Sequence, residues 1–165
     1  MTWCRAARHA RRMQRLFDAL DLPDGITDPY ELCRLVGEHL DCRIDLEFAP
    51  LPFDRPESPC GVTLLTPGGY LMLVEGGTWP GHRLHIVAHE LGHLLCGHVP
   101  APRDDIPGLR GIPVLTRLSY RDPRERDAEA MAGLIGRRAM LPPRPTGRAG
   151  RIYNSLRPRR SGVRR

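Results

Sequence analysis

The chain contains no lysine, few aromatic residues and no long apolar run. The last two absences argue against particular classes of protein. All 25 strongly basic residues among the 165 are arginines, so every strong cation is a guanidinium. Aromatic residues make up only 5% of the chain, which disfavours a single-strand nucleic-acid binder that stacks bases on aromatic rings. Since no apolar run reaches about 18 residues, the sequence predicts no membrane-spanning helix.

Cysteine usage excludes a disulfide scaffold. The five cysteines are an odd number and form no Cys-x-x-Cys pair, which is typical of a protein from a reducing compartment. The N-terminus has basic residues but no apolar stretch after them, so it does not have the pattern of a secretory signal. We therefore expect a cytoplasmic location.

The charge is unevenly distributed. The formal net charge is +6, yet residues 142–165 hold eight arginines and no acid. This Arg/Pro-rich tail is predicted to be disordered. The tail could bind nucleic acid or an acidic partner, but a solvated basic tail is the favoured interpretation. Hydrophobic residues make up 41% of the chain, enough for one core. The part before the tail is therefore predicted to form a single domain over 1–141, with a basic helix in 1–22 and a core in 28–141.

The most informative segment is His89-Glu90-Leu91-Gly92-His93, an HExxH motif. On a helix, positions four apart share one face, so His89 and His93 can bind one metal ion from the same side. Glu90 lies close enough to act on water beside that metal as general base and then as proton donor. Apolar residues at helical spacing predict a mostly buried helix over 82–97, where histidines without partners would be costly. His85 is expected at the rim of the site.

A catalytic zinc site needs a third protein ligand, and several candidates follow the motif. Glu125 is the preferred one, because Ala128 and Ala132 share its helical face and would let the two helices approach closely. Glu129 on that face could accept the second ring N–H of a ligand histidine. The alternatives are His98, whose spacing fails the longer HExxHxxGxxH pattern, Cys96, which faces partly away, and Asp127, interpreted as a solvated surface acid. Glu125 itself could instead be a capping-box residue after Asp122 and Pro123.

Other patterns predict an α+β fold. Further helices are expected over 6–20, 28–39 and from 122, and strands over 43–48, 61–66 and 70–75. The strands would form a small antiparallel sheet packed against the HExxH helix and a second metal-binding helix. Strand 70–75 is the candidate edge for adding a substrate strand. Residues 99–119 are predicted to be a long irregular loop over the cleft, with Tyr120 a possible hydrogen-bond donor beyond it.

The segment from His89 to His98, followed about thirty residues later by Glu125-Arg126-Asp127-Ala128-Glu129, resembles the ImmA/IrrE family of zinc metallopeptidases, in particular its small actinobacterial members. The resemblance runs from roughly residue 31 to 141 and is specific only in the two helices. Some members have Asn at the place of Glu129 and Phe at the place of Met131. The resemblance implies a zincin-like minimal domain and an enzyme that cleaves a helix-turn-helix repressor.

Three functions follow as hypotheses. The first is a zinc-dependent endopeptidase with one Zn²⁺ per chain, held by His89, His93 and Glu125, and with Glu90 as the catalytic base. The second is a metal-containing regulatory or toxin-like binding module without turnover. The third, not favoured, is a nucleic-acid-associated protein acting through its arginine-rich tail.

Overall fold

The computed structural model describes residues 2–51, 59–102, 110–115, 122–143, 147–148 and 151. These residues form four helices and five strands, an α+β fold as predicted. The helices are α1 (Thr2–Asp18), α2 (Pro29–Leu40), α3 (Pro80–Leu95) and α4 (Pro123–Ala139), and the strands are β1 (Ile44–Ala49), β2 (Gly61–Thr66), β3 (Gly69–Glu75), β4 (Ala101–Pro102) and β5 (Pro113–Leu115).

The sheet is mixed, so the prediction of a purely antiparallel sheet is wrong in one pairing. The strand order is β1-β3-β2-β5-β4. The β2–β3 hairpin is antiparallel as expected, but β1 runs parallel to β3, with Ile44 opposite Tyr70. Strand β3 therefore lies inside the sheet and cannot be the edge that binds a substrate strand. An alternating pattern identifies a strand but carries no information about its neighbour.

The segment predicted as one irregular loop contains two short strands. Val114 in β5 pairs with Leu64 of β2 on one side and with Ala101 of β4 on the other. These pairings extend the sheet beyond β2. Strands of two and three residues are too short for a periodic signal in sequence.

The sheet presents one face to the helices. In β2 and β3, alternate side chains point to opposite faces, so Thr63, Met72 and Val74 face α3 and are fully buried. Val62 and Leu64 face the other way and form a small second cluster with Val114, while α1, α2, α3 and α4 contribute to the main core. A buried strand face behind α3 gives that helix a rigid support.

Two helix starts follow the predicted capping chemistry. Asp28 precedes Pro29, and its side chain accepts a hydrogen bond from the backbone N–H of Tyr30. Asp122 caps α4 before Pro123 in the same way. Such caps satisfy N–H groups that have no partner within the helix. Within the described part of the chain, no helix is both long and apolar enough to cross a membrane.

Candidate metal centre

Helix α3 carries the motif residues on the side that faces α4 and the sheet. Nearly all of its last ten residues are buried, including Glu90 and His93. Histidine and glutamate in such a position need polar partners, because burial of an unpaired polar group is costly. The partners come from α4 and β2.

Helices α3 and α4 approach each other closely at three small residues. Ala128 and Ala132 are almost completely buried, as predicted. Gly92, within the motif, lies directly against Ala128: a Cβ added there would come within 2.8 Å of the Ala128 carbonyl oxygen. The absence of side-chain volume on both helices lets a short glutamate on α4 reach the histidines of α3.

His89, His93 and Glu125, called here the ligand group, bring three ligand atoms together. His89 Nε2 lies 3.2 Å from Glu125 Oε2 and 3.3 Å from His93 Nε2. His93 Nε2 lies 3.6 Å from Glu125 Oε1. The three residues thus lie close together in space, and together they could hold a metal ion.

The spacing in the ligand group suits a tetrahedral ion. Zinc binds imidazole nitrogen and carboxylate oxygen at about 2.0–2.2 Å, so two ligand atoms at a tetrahedral angle lie about 3.4 Å apart. The 3.3 Å between the two Nε2 atoms is close to that value. The 3.2 and 3.6 Å distances join His89 and His93 to different oxygens of Glu125. Two imidazoles and a carboxylate are also the ligand types that leave a fourth position open in catalytic zinc sites.

The pKa values of the two histidines are shifted in opposite directions. Burial acts to lower the pKa of His89, but its hydrogen bond to Glu125 and the nearby carboxylates outweigh burial and raise it. Burial and the charge of His89 lower the pKa of His93 to about 4. A metal ion needs the lone pairs of both rings, so its binding competes with protonation of either ring.

Glu90 has a partner on the sheet: Thr63 of β2 donates a hydrogen bond of 2.8 Å to its Oε2. Burial raises the pKa of Glu90 to about 7, the range in which a carboxylate is an effective general base at neutral pH. Gly61 makes this approach possible, because a Cβ there would lie 2.7 Å from Ile86 and 3.1 Å from Glu90.

A cleft opens onto the motif from one side. Its walls include Cys60 and Gly61 at the start of β2, His82 and His85 on α3, and Glu129 on α4, with His89 and Glu90 at its base. His85 lies at the rim, as predicted, and its Nε2 is 3.6 Å from Glu129 Oε2. The same Glu129 oxygen lies 3.4 Å from His89 Nδ1, which is the place expected for a carboxylate that orients a ligand histidine.

A second set of metal-binding residue types lies behind His93. Cys96, His98 and Asp127, called here the outer group, also bring ligand atoms within reach of one ion. Asp127 is not the solvated acid that the sequence suggested. It accepts hydrogen bonds from His9 at 2.7 Å and Arg12 at 2.8 Å, both on α1.

Sequence reasoning missed three contributors to this region. Thr63 is an ordinary strand residue until its partner Glu90 is known. His98 was considered only as a ligand, whereas its Nδ1 lies 2.8 Å from the Nδ1 of His93. Arg12 belongs to the predicted basic helix in 1–22, for which the sequence indicates no partner. A histidine five residues after the motif is the one signal that could have indicated His98. Tyr120 lies outside the described residues.

Comparisons of the chain with protein-family models, with curated proteins and with solved structures gave no match in any of the three.

Proposed function

We propose that this chain is a zinc-dependent endopeptidase similar to the ImmA/IrrE enzymes. The observation that carries the proposal is the convergence of His89, His93 and Glu125, whose nitrogen and oxygen atoms lie 3.2–3.6 Å apart, with a buried carboxylate of raised pKa beside them. A structural zinc site would use four protein ligands and would not need an open cleft. The cleft at His89 and Glu90 therefore favours catalysis over a purely structural metal.

In the proposed mechanism, His89, His93 and Glu125 would hold the ion. When bound there, zinc supplies a Lewis acid that polarises the substrate carbonyl and makes water nucleophilic near neutral pH. Glu90 accepts the proton of the attacking water and returns it to the leaving amine. Thr63 fixes the Glu90 carboxylate by its hydrogen bond, so that the proton is taken and given at a constant position.

The proposed substrate is a helix-turn-helix repressor, and this part of the proposal rests on the resemblance alone. A cytoplasmic location is part of the same proposal. The cleft between the start of β2 and the α3 surface is the place where we expect the scissile segment to lie.

The test is the zinc content and peptide cleavage of the wild type and of Glu90→Gln, measured with an internally quenched peptide library of mixed sequence. We expect about one zinc per chain in both proteins and cleavage by the wild type only, with a loss of about 10²–10⁴-fold in the variant. Equal cleavage by both proteins would refute the role of Glu90. Zinc binding without any cleavage by the wild type would favour the binding module.

A further inference from the structure

The ring of His93 has a partner on each side. Its Nε2 faces the ligand group, and its Nδ1 lies 2.8 Å from Nδ1 of His98, with the two ring centroids 5.0 Å apart at 60°. Two ring nitrogens at that distance form one hydrogen bond, in which one nitrogen carries the proton and the other offers its lone pair. The direction of this bond decides what His98 does.

The direction follows from the ligand role of His93. A metal on Nε2 uses that lone pair, so the ring proton of neutral His93 must lie on Nδ1. His93 therefore donates and His98 Nδ1 accepts, which places the proton of His98 on its own Nε2. That nitrogen lies 3.8 Å from Asp127 Oδ2, and a carboxylate at this distance favours the tautomer with the proton on Nε2.

Asp127 is itself held in position by α1. His9 and Arg12 bind its two oxygens, and Met13 of α1 is buried beside Cys96. Burial acts to raise the pKa of Asp127, but the hydrogen bonds from Arg12 and His9 outweigh it and lower the pKa. The carboxylate is therefore ionised at neutral pH.

We propose that His98 is a positioning residue of the metal centre: it accepts the Nδ1–H of His93, and Asp127, anchored by α1, orients it. The inference rests on the proposed function, because it assumes that His93 binds a metal through Nε2. It assigns the N-terminal helix a part in the metal site that the sequence did not indicate.

The outer group offers a competing explanation, a second metal ion on Cys96, His98 and Asp127. Such an ion would need the lone pair of His98 Nε2, which moves the His98 proton to Nδ1. Two N–H groups would then face each other at the 2.8 Å separation between His93 and His98. The guanidinium of Arg12 also lies 2.8 Å from an Asp127 oxygen, where it would repel a second cation.

The experiment measures zinc affinity by competition with a chelator, together with the visible absorption spectrum of the Co²⁺ form. His98→Leu removes the acceptor and is expected to weaken zinc binding about 10–100-fold and to change the Co²⁺ spectrum. His98→Asn keeps an acceptor oxygen near the Nδ1 position and should bind within a few-fold of the wild type. Cys96→Ser is the control and should leave affinity, spectrum and a stoichiometry of one zinc unchanged.

The possible outcomes separate the two proposals. Wild-type protein that binds no zinc refutes the proposed function. Wild-type protein with one zinc and His98→Leu of equal affinity and spectrum refutes only the role of His98. Loss of affinity in His98→Asn as large as in His98→Leu would also refute it, since packing would then be the cause. Two zinc ions in the wild type and one in Cys96→Ser would establish the second metal instead. Circular dichroism of each variant reports whether it is folded.

Discussion

The ligand group and the outer group lie side by side and each contains histidine and a carboxylate, yet their carboxylates have different neighbours. In the ligand group, the two oxygens of Glu125 lie 3.2 and 3.6 Å from the Nε2 atoms of His89 and His93. In the outer group, the carboxylate of Asp127 is already bound by Arg12 and His9.

Under the proposed function, hydrogen-bond partners, more than residue identity, separate the metal site from the network that orients it. A carboxylate bound by a guanidinium is held in place and partly neutralised, so it directs a neighbouring histidine well and binds a cation poorly. The contact between His93 and His98 connects the two groups. A change in one group should therefore reach the other through the His93 ring.

The largest expected effect on zinc affinity comes from removing a carboxylate of the ligand group. Each group has one carboxylate on α4, two positions apart, so the two can be compared. Glu125→Ala removes one of three protein ligands, and we expect zinc affinity to fall by at least about 100-fold. Asp127→Ala removes only an orienting charge and should cost about 10-fold or less. Chelator competition on both variants tests this comparison. Equal losses in the two variants would mean that Asp127 is as directly involved as Glu125.

The next effect tests the helix contact that both groups share. In Gly92→Val, the new side chain would meet the Ala128 backbone within 3 Å, so α3 and α4 must separate and both groups lose their geometry. We expect a loss of roughly 2–4 kcal/mol of stability, as for overpacked or strained core positions, together with loss of zinc binding. Thermal and urea unfolding of the metal-free proteins measure the stability.

Gly136→Ala on α4 is the matched control for this substitution. An added Cβ there meets nothing within 4 Å, and alanine is favoured over glycine in a helix interior by about 0.5–1 kcal/mol. The control should therefore stabilise the protein and leave zinc binding intact. If Gly92→Val were as stable as Gly136→Ala, the close approach of the two helices would not be what builds the groups.

Part of the site can be predicted from local sequence signals. His89, His93, Ala128 and Ala132 follow from helical spacing, and Asp122 from capping chemistry, because these signals act within a few residues of the chain. The predicted ends of the helices lie within about four residues of those observed, since helix ends carry weaker signals than helix interiors.

The rest depends on pairings between distant parts of the chain. Thr63 and Glu90 are 27 residues apart, and Arg12 and Asp127 are 115 apart. The parallel pairing of β1 with β3 is of the same kind. Nothing in the local pattern of either partner specifies the other, because such contacts form only when the elements have packed. Gly92 was visible within the motif, but its role depends on the surface of α4.

A smaller effect is expected from the hydrogen bond between Thr63 and Glu90. Thr63→Val keeps the shape and removes the donor, which should raise the pKa of Glu90 further. Glu90 acts as a base only when ionised, so activity is lost as pH falls through its pKa, and the acidic limb of the pH–rate profile should move to higher pH. At neutral pH we expect about a tenfold loss of kcat/KM, equivalent to roughly 1.4 kcal/mol, with unchanged zinc content.

Thr66→Val provides the control on the same strand. The Thr66 hydroxyl donates to the Gly69 carbonyl in the β2–β3 turn, where it has no part in the proposed chemistry. Its pH–rate profile should match that of the wild type. A shift of similar size in both variants would attribute the effect to the strand as a whole.

The smallest effect concerns the thiol of the outer group. Burial, followed by the negative charge of Asp127, raises the pKa of Cys96 to about 11. The thiolate is the form that reacts with iodoacetamide, so Cys96 should be alkylated much more slowly than the exposed Cys60. Cys33, whose pKa burial raises to about 12, gives the lower reference. Peptide mapping by mass spectrometry measures all three in one reaction of the metal-free protein.

Alkylation of Cys96 as fast as that of Cys60 would show that its thiolate forms readily. The outer group would then offer a deprotonated soft ligand, and its distinction from the ligand group would rest on Arg12 and His9 alone.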